Sequence, residues 1–415
     1  MYNSDKRRDQ VTTGGVPSVP LRCLALCFIL LAETSAIRAP TALHTTNASS
    51  ARSLRSQFED QEQVFTRAFQ LLEDGIAQNT FPGASLAITQ SGKLVALKAL
   101  GRFTYGPESP PMTTESVFDL ASVSKVVATT TMAMVLYERG LLDLGAPLAG
   151  ILPEFAGEDK RRNEVSLRML LAHSSGLPAY DKLYLRGGSR EELLRLAFAV
   201  PLRYGPGSHA EYSDIGFILL GLALEKIAEE SLDRFCQREF FGPLGMLQTT
   251  FNPPAGWKSK IPPTADDRTF RKRIVQGEVQ DENASVLGGV AGHAGVFSTA
   301  KDVAIFSQAL LGGGAPIVRP ATVALFTRRE LPPPETSRAL GWDTPSAPSQ
   351  SGKYFSPSSF GHLGYTGTSL WIDPERQLSV ALLTNRTWPD CSNHAIKEVR
   401  PRFHDAIVEA LGSIS

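Results

Sequence analysis

Apolar and small residues run unbroken from Val126 to Tyr137, with no Gly or Pro among them, a pattern that predicts a buried helix. Ser122 and Lys125 fall in its first turn. Residues three apart on a helix share a face, so this hydroxyl and amine are expected to point into one space. Upstream, Phe58, Val64, Phe65, Ala68, Phe69, Leu72 and Ile76 recur at helical spacing and predict an amphipathic helix over 57–78. Phe81-Pro82-Gly83 ends it. Two strand-like runs, 85–90 and 93–99, meet at Ser91-Gly92, a hairpin signal.

Past Arg139-Gly140 the chain changes character, and 141–163 holds few regular patterns. Ser166 caps a short helix to 172, and Ser189 with Glu192 forms a capping box for one reaching about 199. Longer apolar helices are expected over 215–230 and 232–241, then one over 300–311 capped by Ser298 and Thr299, and a short one opened by Pro320. The stretches 206–214, 253–263 and 266–273 read as irregular, 288–295 as glycine-dense, and 332–350 as a proline-rich surface loop. Strands return at 369–372 and 378–384, followed by a helix over 392–411 bent at Pro401. Strands at both ends and helices between them predict an α/β (α+β) fold: an antiparallel sheet flanked by helices, with a mainly helical insertion. The sheet part is expected over 57–117 and 315–411 and the helical part over 118–314, with the active site in the cleft between them.

The first 56 residues stand apart. Lys6-Arg7-Arg8 and Arg22 precede an apolar run over 21–32, and small residues follow at Ser35, Ala36 and Ala39. This predicts a secretory signal over 1–39, cleaved near 36–39, then a flexible leader over 40–56, and hence a periplasmic or extracellular protein; the run is too short to span a bilayer. Cys23 and Cys27 would leave with the signal, and Cys236 and Cys391 alone make no disulfide framework. With 42 basic and 42 acidic residues there is no basic field for a polyanion, which argues against a nucleic-acid partner. No internal repeat, integral membrane domain or metal-ligand spacing such as H-E-x-x-H is found, and neither metal nor cofactor is expected. No G-x-S-x-G elbow points to an α/β-hydrolase.

Ser-x-x-Lys alone is weak, because serine caps helices and lysine is common in first turns. Its weight comes from order: Ser122-Val123-Ser124-Lys125, then Tyr212-Ser213-Asp214, then His362-Leu363-Gly364 before a strand. With Leu170 to Leu177, Gly292 to Ala300 and Gly367 to Pro374, this closely resembles the serine β-lactamase and penicillin-binding-protein superfamily, in the group of class C β-lactamases, D,D-carboxypeptidases and related esterases. The resemblance covers about 58–411. It implies the β-lactamase/transpeptidase-like fold and an acyl-serine pathway. Ser122 would attack a carbonyl carbon, Lys125 would take or relay its proton, and Tyr212 would protonate the leaving group. The backbone N–H groups of Tyr365 and Ser122 would form the oxyanion hole.

Two motifs depart from that pattern. Asp214 stands where Asn is usual, either beside substrate or as a cap for the helix beginning at Ile215. His362-Leu363-Gly364 replaces Lys-Thr-Gly, so the threonine hydroxyl is missing and the imidazole carries charge only when protonated. Gly364 is expected to keep the strand bare where substrate approaches. A shifted register with Tyr365-Thr366-Gly367 as the motif stays open. His293 and Thr366 are candidate pocket residues, whereas His173 reads as structural. The implied activity is a D-Ala-D-Ala carboxypeptidase-like or β-lactamase-related hydrolase acting on a small-molecule or peptide substrate of peptidoglycan type. The alternatives are a carboxylesterase or D-amino-acid amidase, and a non-catalytic peptidoglycan-ligand binding protein.

Overall fold

The strands are β1 (Arg55–Ser56), β2 (Gly83–Gln90), β3 (Lys93–Gly101), β4 (Phe118–Asp119), β5 (Thr250–Phe251), β6 (Ala265–Asp267), β7 (Arg273–Val275), β8 (Val296–Ser298), β9 (Phe360–Leu363), β10 (Ser369–Asp373) and β11 (Leu378–Thr384). The computed structural model describes residues 55–56, 58–331, 333–334 and 336–412. The expected signal over 1–39, with Cys23 and Cys27, lies outside the described residues, as does the leader before 55. The leader's Arg55–Ser56 pairs in parallel with Lys93–Leu94 and so belongs to the sheet.

Six strands form the main sheet in the order β1-β3-β2-β11-β10-β9. Every pairing other than β1 with β3 is antiparallel. Side chains alternate across a strand, and β11 uses both faces. Leu378, Val380 and Leu382 pack with Phe65, with Phe69 and Leu72 of the helix Thr66–Ala77, and with Phe403 and Ile407 of the helix Ile396–Gly412. Ala381 and Leu383 join the larger core of Val303, Phe306 and Leu310 on the helix Ala300–Leu311 and the middle of the chain. Every residue of β11 is buried because both faces are covered. A small antiparallel sheet, β4-β8-β5, lies within the middle region, and β6 pairs with β7 where 266–273 was expected to be irregular.

Two further expectations need correction. The 332–350 stretch is no simple surface loop: Ala339, Leu340 and Trp342 are buried, and the Trp342 ring lies 4.9 Å from that of Phe360. Backbone bonds from Gly341 to Leu171 and between Asp343 and Gly361 fasten this segment to the core. The central element is also not one continuous α-helix. It runs as a 3-10 turn at Ala121–Val123, a π-helix at Lys125–Thr130 and an α-helix at Thr131–Glu138. The Asp119 carboxylate takes the Ala121 N–H at 2.8 Å where Ala121 has a φ of +46°, and the Thr131 hydroxyl bonds the Val126 carbonyl at 2.8 Å. These contacts widen the turn, a feature frequent at functional sites.

Candidate active site

Ser122 enters the site from the 3-10 turn just after that strained alanine. Its Oγ accepts from Lys125 Nζ at 2.9 Å and from the Tyr212 hydroxyl at 2.7 Å. Lys125 is fully buried, and Nζ also donates to Asp214 Oδ1 at 2.6 Å and to the His293 carbonyl at 2.9 Å. Three acceptors are the full complement of an ammonium, so this arrangement holds the protonated form. Burial nonetheless pulls the Lys125 pKa below its ordinary 10.5, with Asp214 pulling the other way. Burial and then Asp214 push the Tyr212 phenol well above its usual value, which keeps it a neutral donor.

Local sequence explains this convergence. Ser213, not Asp214, caps the helix Asp214–Ala228: its Oγ accepts from Gly216 N at 2.9 Å and donates to the Pro178 carbonyl at 2.7 Å. Asp214 is thereby left to face Lys125 and the Tyr212 hydroxyl, the latter at 3.1 Å. His173 has the structural place expected of it. Its Nδ1 accepts from Ser213 N at 3.0 Å and its ring lies 4.7 Å from that of Tyr212. The glycine-dense stretch works by close approach: a Cβ on Gly292 would sit 2.1 Å from the Phe217 carbonyl oxygen. That contact brings the next carbonyl, on His293, to Lys125.

The third motif differs from expectation. His362 is buried, and its Nδ1 lies 2.8 Å from the Leu363 carbonyl, so that nitrogen carries the proton. Burial first, then Lys125 and Arg338, hold its pKa well below 6.5. At neutral pH the imidazole is therefore uncharged and supplies no cation. Gly364 is required by packing as well, since a Cβ there would lie 1.9 Å from Thr368 Oγ1 and 2.5 Å from the Leu120 carbonyl oxygen. Thr366 is buried, and its hydroxyl donates to the Asp119 carbonyl at 2.8 Å instead of lining the cavity.

A cavity of about 810 Å³ opens over these groups; Ser122, Tyr212, Asp214, His293, His362, Leu363, Gly364 and Tyr365 all line it. Sequence reasoning missed other residues there. Asp281 sits 2.8 Å from His293 Nε2, and Arg338 lies 5.5 Å from the Tyr212 ring centre, delivered by the segment expected at the surface. Asp119, which braces Ala121 and takes the Gln280 N–H at 2.6 Å, is pushed up to about 6, burial being the main cause. Its only sequence signal was its place beside the Ser-x-x-Lys stretch. Among the described residues no group of three or more His, Cys, Asp or Glu could hold a metal ion, and Cys236 and Cys391 are free thiols.

A nucleophile within reach of a buried amine and a neutral phenol is the arrangement of a serine acyl hydrolase, and residues 68–398 match the family described as Beta-lactamase. The chain belongs to that family. It has a serine-hydrolase active-site fold consistent with acyl-enzyme chemistry, and it is related to class C β-lactamases, penicillin-binding proteins, D,D-carboxypeptidases and esterases. The N-acetylmuramyl-L-alanine amidase of Bacillus subtilis (strain 168) is 33% identical over 354 residues, 76% of this chain and 80% of that protein. A "Putative D-alanyl-D-alanine carboxypeptidase" of Salmonella agona (strain SL483) is 32% identical over 364 residues, 77% and 83% of the two chains. Among solved structures, EstCE1, a hydrolase with promiscuous acyltransferase activity, shares the fold. Its TM-score is 0.69 at 23% identity, over 84% of this chain and 99% of that one.

Proposed function

We propose that the protein hydrolyses an amide or ester of a peptidoglycan-derived peptide through an acyl-enzyme on Ser122. The observation that carries this is the convergence of two donors on Ser122 Oγ, Lys125 Nζ at 2.9 Å and the Tyr212 hydroxyl at 2.7 Å. With Lys125 unprotonated, the Oγ proton passes to Nζ as the Oγ–carbon bond forms. The charge developing on the carbonyl oxygen is taken by the N–H groups of Ser122 and Tyr365. Tyr212 then protonates the departing amine or alcohol as that bond breaks; the phenolate left behind takes a proton from the water that attacks the acyl carbon, and Lys125 returns its proton to Ser122 Oγ as the ester bond breaks. The names of the amidase and carboxypeptidase relatives support a peptidoglycan-type substrate.

Carboxylesterase or D-amino-acid amidase activity is a second reading, favoured by Leu363 and the uncharged His362. A purely binding role is disfavoured by the intact Ser122, Lys125 and Tyr212. Among the described residues no helix is long and apolar enough to cross a membrane. Export to the periplasm or beyond is part of this proposal and is supported by the basic, apolar and small residues before 40. Turnover of a D-Ala-D-Ala peptide, an N-acetylmuramyl-L-alanine amide, a cephalosporin and a short-chain ester separates the readings. Cleavage of a peptidoglycan-type amide is expected, whereas cleavage of the ester alone would favour the second reading and overturn the first.

The Asp214 carboxylate gives a pH prediction. It raises the proton affinity of Lys125, so Asp214→Asn removes that support and lowers the pKa further. Acylation needs the free amine and rises with pH toward this pKa. The rising limb should therefore move to lower pH in D214N, read from single-turnover rates across a pH series. A limb that stays put or moves upward would show that Lys125 is not the titrating base.

A further inference from the structure

Asp119 closes β4 and is buried. One carboxylate oxygen accepts from Ala121 N at 2.8 Å and the other from Gln280 N at 2.6 Å. The first bond holds Ala121 at a φ of +46°, a left-handed turn that strains an alanine, and the next residue is Ser122. The second bond fixes the backbone beside Asp281, whose carboxylate meets His293 Nε2 at 2.8 Å. The His293 carbonyl in turn accepts from Lys125 Nζ at 2.9 Å. Both ends of the Ser122–Lys125 hydrogen bond therefore trace back to one carboxylate. The main chain of the same stretch holds the opposite motif: the Asp119 carbonyl accepts from the Thr366 hydroxyl and the Leu120 carbonyl from the Thr368 hydroxyl, both at 2.8 Å. The turn that carries Tyr365 is thus pinned to the two residues before Ala121.

Burial pushes Asp119 up to about 6 against the pull of its two N–H partners; Asp281 raises it further, and Arg271, between β6 and β7, lowers it. Its value in the fold lies above the ordinary 3.8, so ionisation costs stability as pH rises through about 6, and acid restores it. A carboxyl kept for stability alone gains nothing from that ionisation. The two N–H groups do gain, because only the carboxylate accepts on both oxygens without carrying a proton of its own.

We propose that Asp119 is a positioning residue for the acyl transfer: its carboxylate sets the Ser122 turn and the His293 carbonyl in register, so that Ser122 Oγ meets Lys125 Nζ. This rests on the acyl-hydrolase reading above. Asparagine at this position keeps the shape but accepts only one of the two N–H groups, since its amide nitrogen faces the other as a donor. Protonation places a donor on one oxygen in the same way, so acid is a reversible version of that substitution.

The rate at which Ser122 takes up an activated phosphonate, followed by mass spectrometry across neutral and mildly acidic pH, reads the nucleophile without a choice of substrate. D119N should label about tenfold to a hundredfold more slowly at neutral pH, the cost of a misplacement of about an ångström. In wild type the logarithm of the rate should fall with a slope of one while Lys125 alone takes up its proton, and steepen toward two as pH passes below about 6. In D119N the slope should stay at one. Adding A121G to D119N should recover part of the loss, since glycine takes a positive φ without the brace. A carboxylate that merely held up the fold would give no such rescue. Equal neutral-pH rates in wild type and D119N, or a wild-type slope that stays at one, overturns the proposal. Hydrogen exchange over the peptides carrying Ala121 and Gln280 needs neither label nor variant. Their protection in wild type should drop, relative to other buried amides, as pH falls through about 6, and unchanged protection also overturns it. Where Ser122 takes no label at any pH yet this protection drops, the hydrolase reading fails and the brace stands.

Discussion

Ser122→Ala is expected to lower turnover of every ester and amide substrate by about four to six orders of magnitude, as loss of a catalytic serine does elsewhere. The fold should survive. The Ser122 side chain bonds only Lys125 and Tyr212, and both keep partners without it: Lys125 retains Asp214 and the His293 carbonyl, and Tyr212 retains Asp214. One Lys125 N–H loses its acceptor, a loss of about 1–3 kcal/mol at most, so the melting temperature should fall by only several degrees. Steady-state kinetics and a thermal melt on one preparation make the comparison. Near-normal turnover by a folded S122A protein would place the nucleophile elsewhere.

Lys125→Met should slow acylation by about a thousandfold or more, the upper part of the range for a positioned general base. Methionine keeps much of the length of the lysine stem and removes the proton acceptor. Two stability effects oppose each other. Removing a fully buried ammonium relieves its desolvation, whereas Asp214 and the His293 carbonyl lose their donor. The rate should therefore fall far more than the stability. The pH profile checks the assignment independently: in wild type the rate climbs as Lys125 gives up its proton, and in K125M that limb should vanish. Single-turnover acylation within about tenfold of wild type would reject lysine as the base.

What was legible in the sequence was local. Helical spacing found the helix Thr66–Ala77, though a short separate turn, Gln61–Val64, precedes it. Alternation and turn residues found β2, β3, β10 and β11. The order of three motifs brought Ser122, Lys125 and Tyr212 to one site, and they do meet. The residues that stayed hidden act across long separations. Arg338 reaches Tyr212 from a segment that looked polar and proline-rich, because Trp342 anchors it from within. Arg386 and Arg400 belong to no motif of the sequence, and only the fold shows them buried at the cavity. Asp214 was ambiguous because a carboxylate beside a helix start caps many helices, and only the Ser213 hydrogen bond to Gly216 shows that the cap is already taken. The packing need at Gly364 was hidden because a sequence does not reveal which atoms a missing Cβ would strike.

The central claim, an acyl-enzyme on Ser122, is tested most directly by trapping it. Wild-type protein incubated with an activated phosphonate, then digested and mapped by mass spectrometry, should carry one adduct, on the peptide holding Ser122 to Lys125. S122A treated alike should carry none. An adduct on another residue, or equal labelling of the two proteins, would contradict the account.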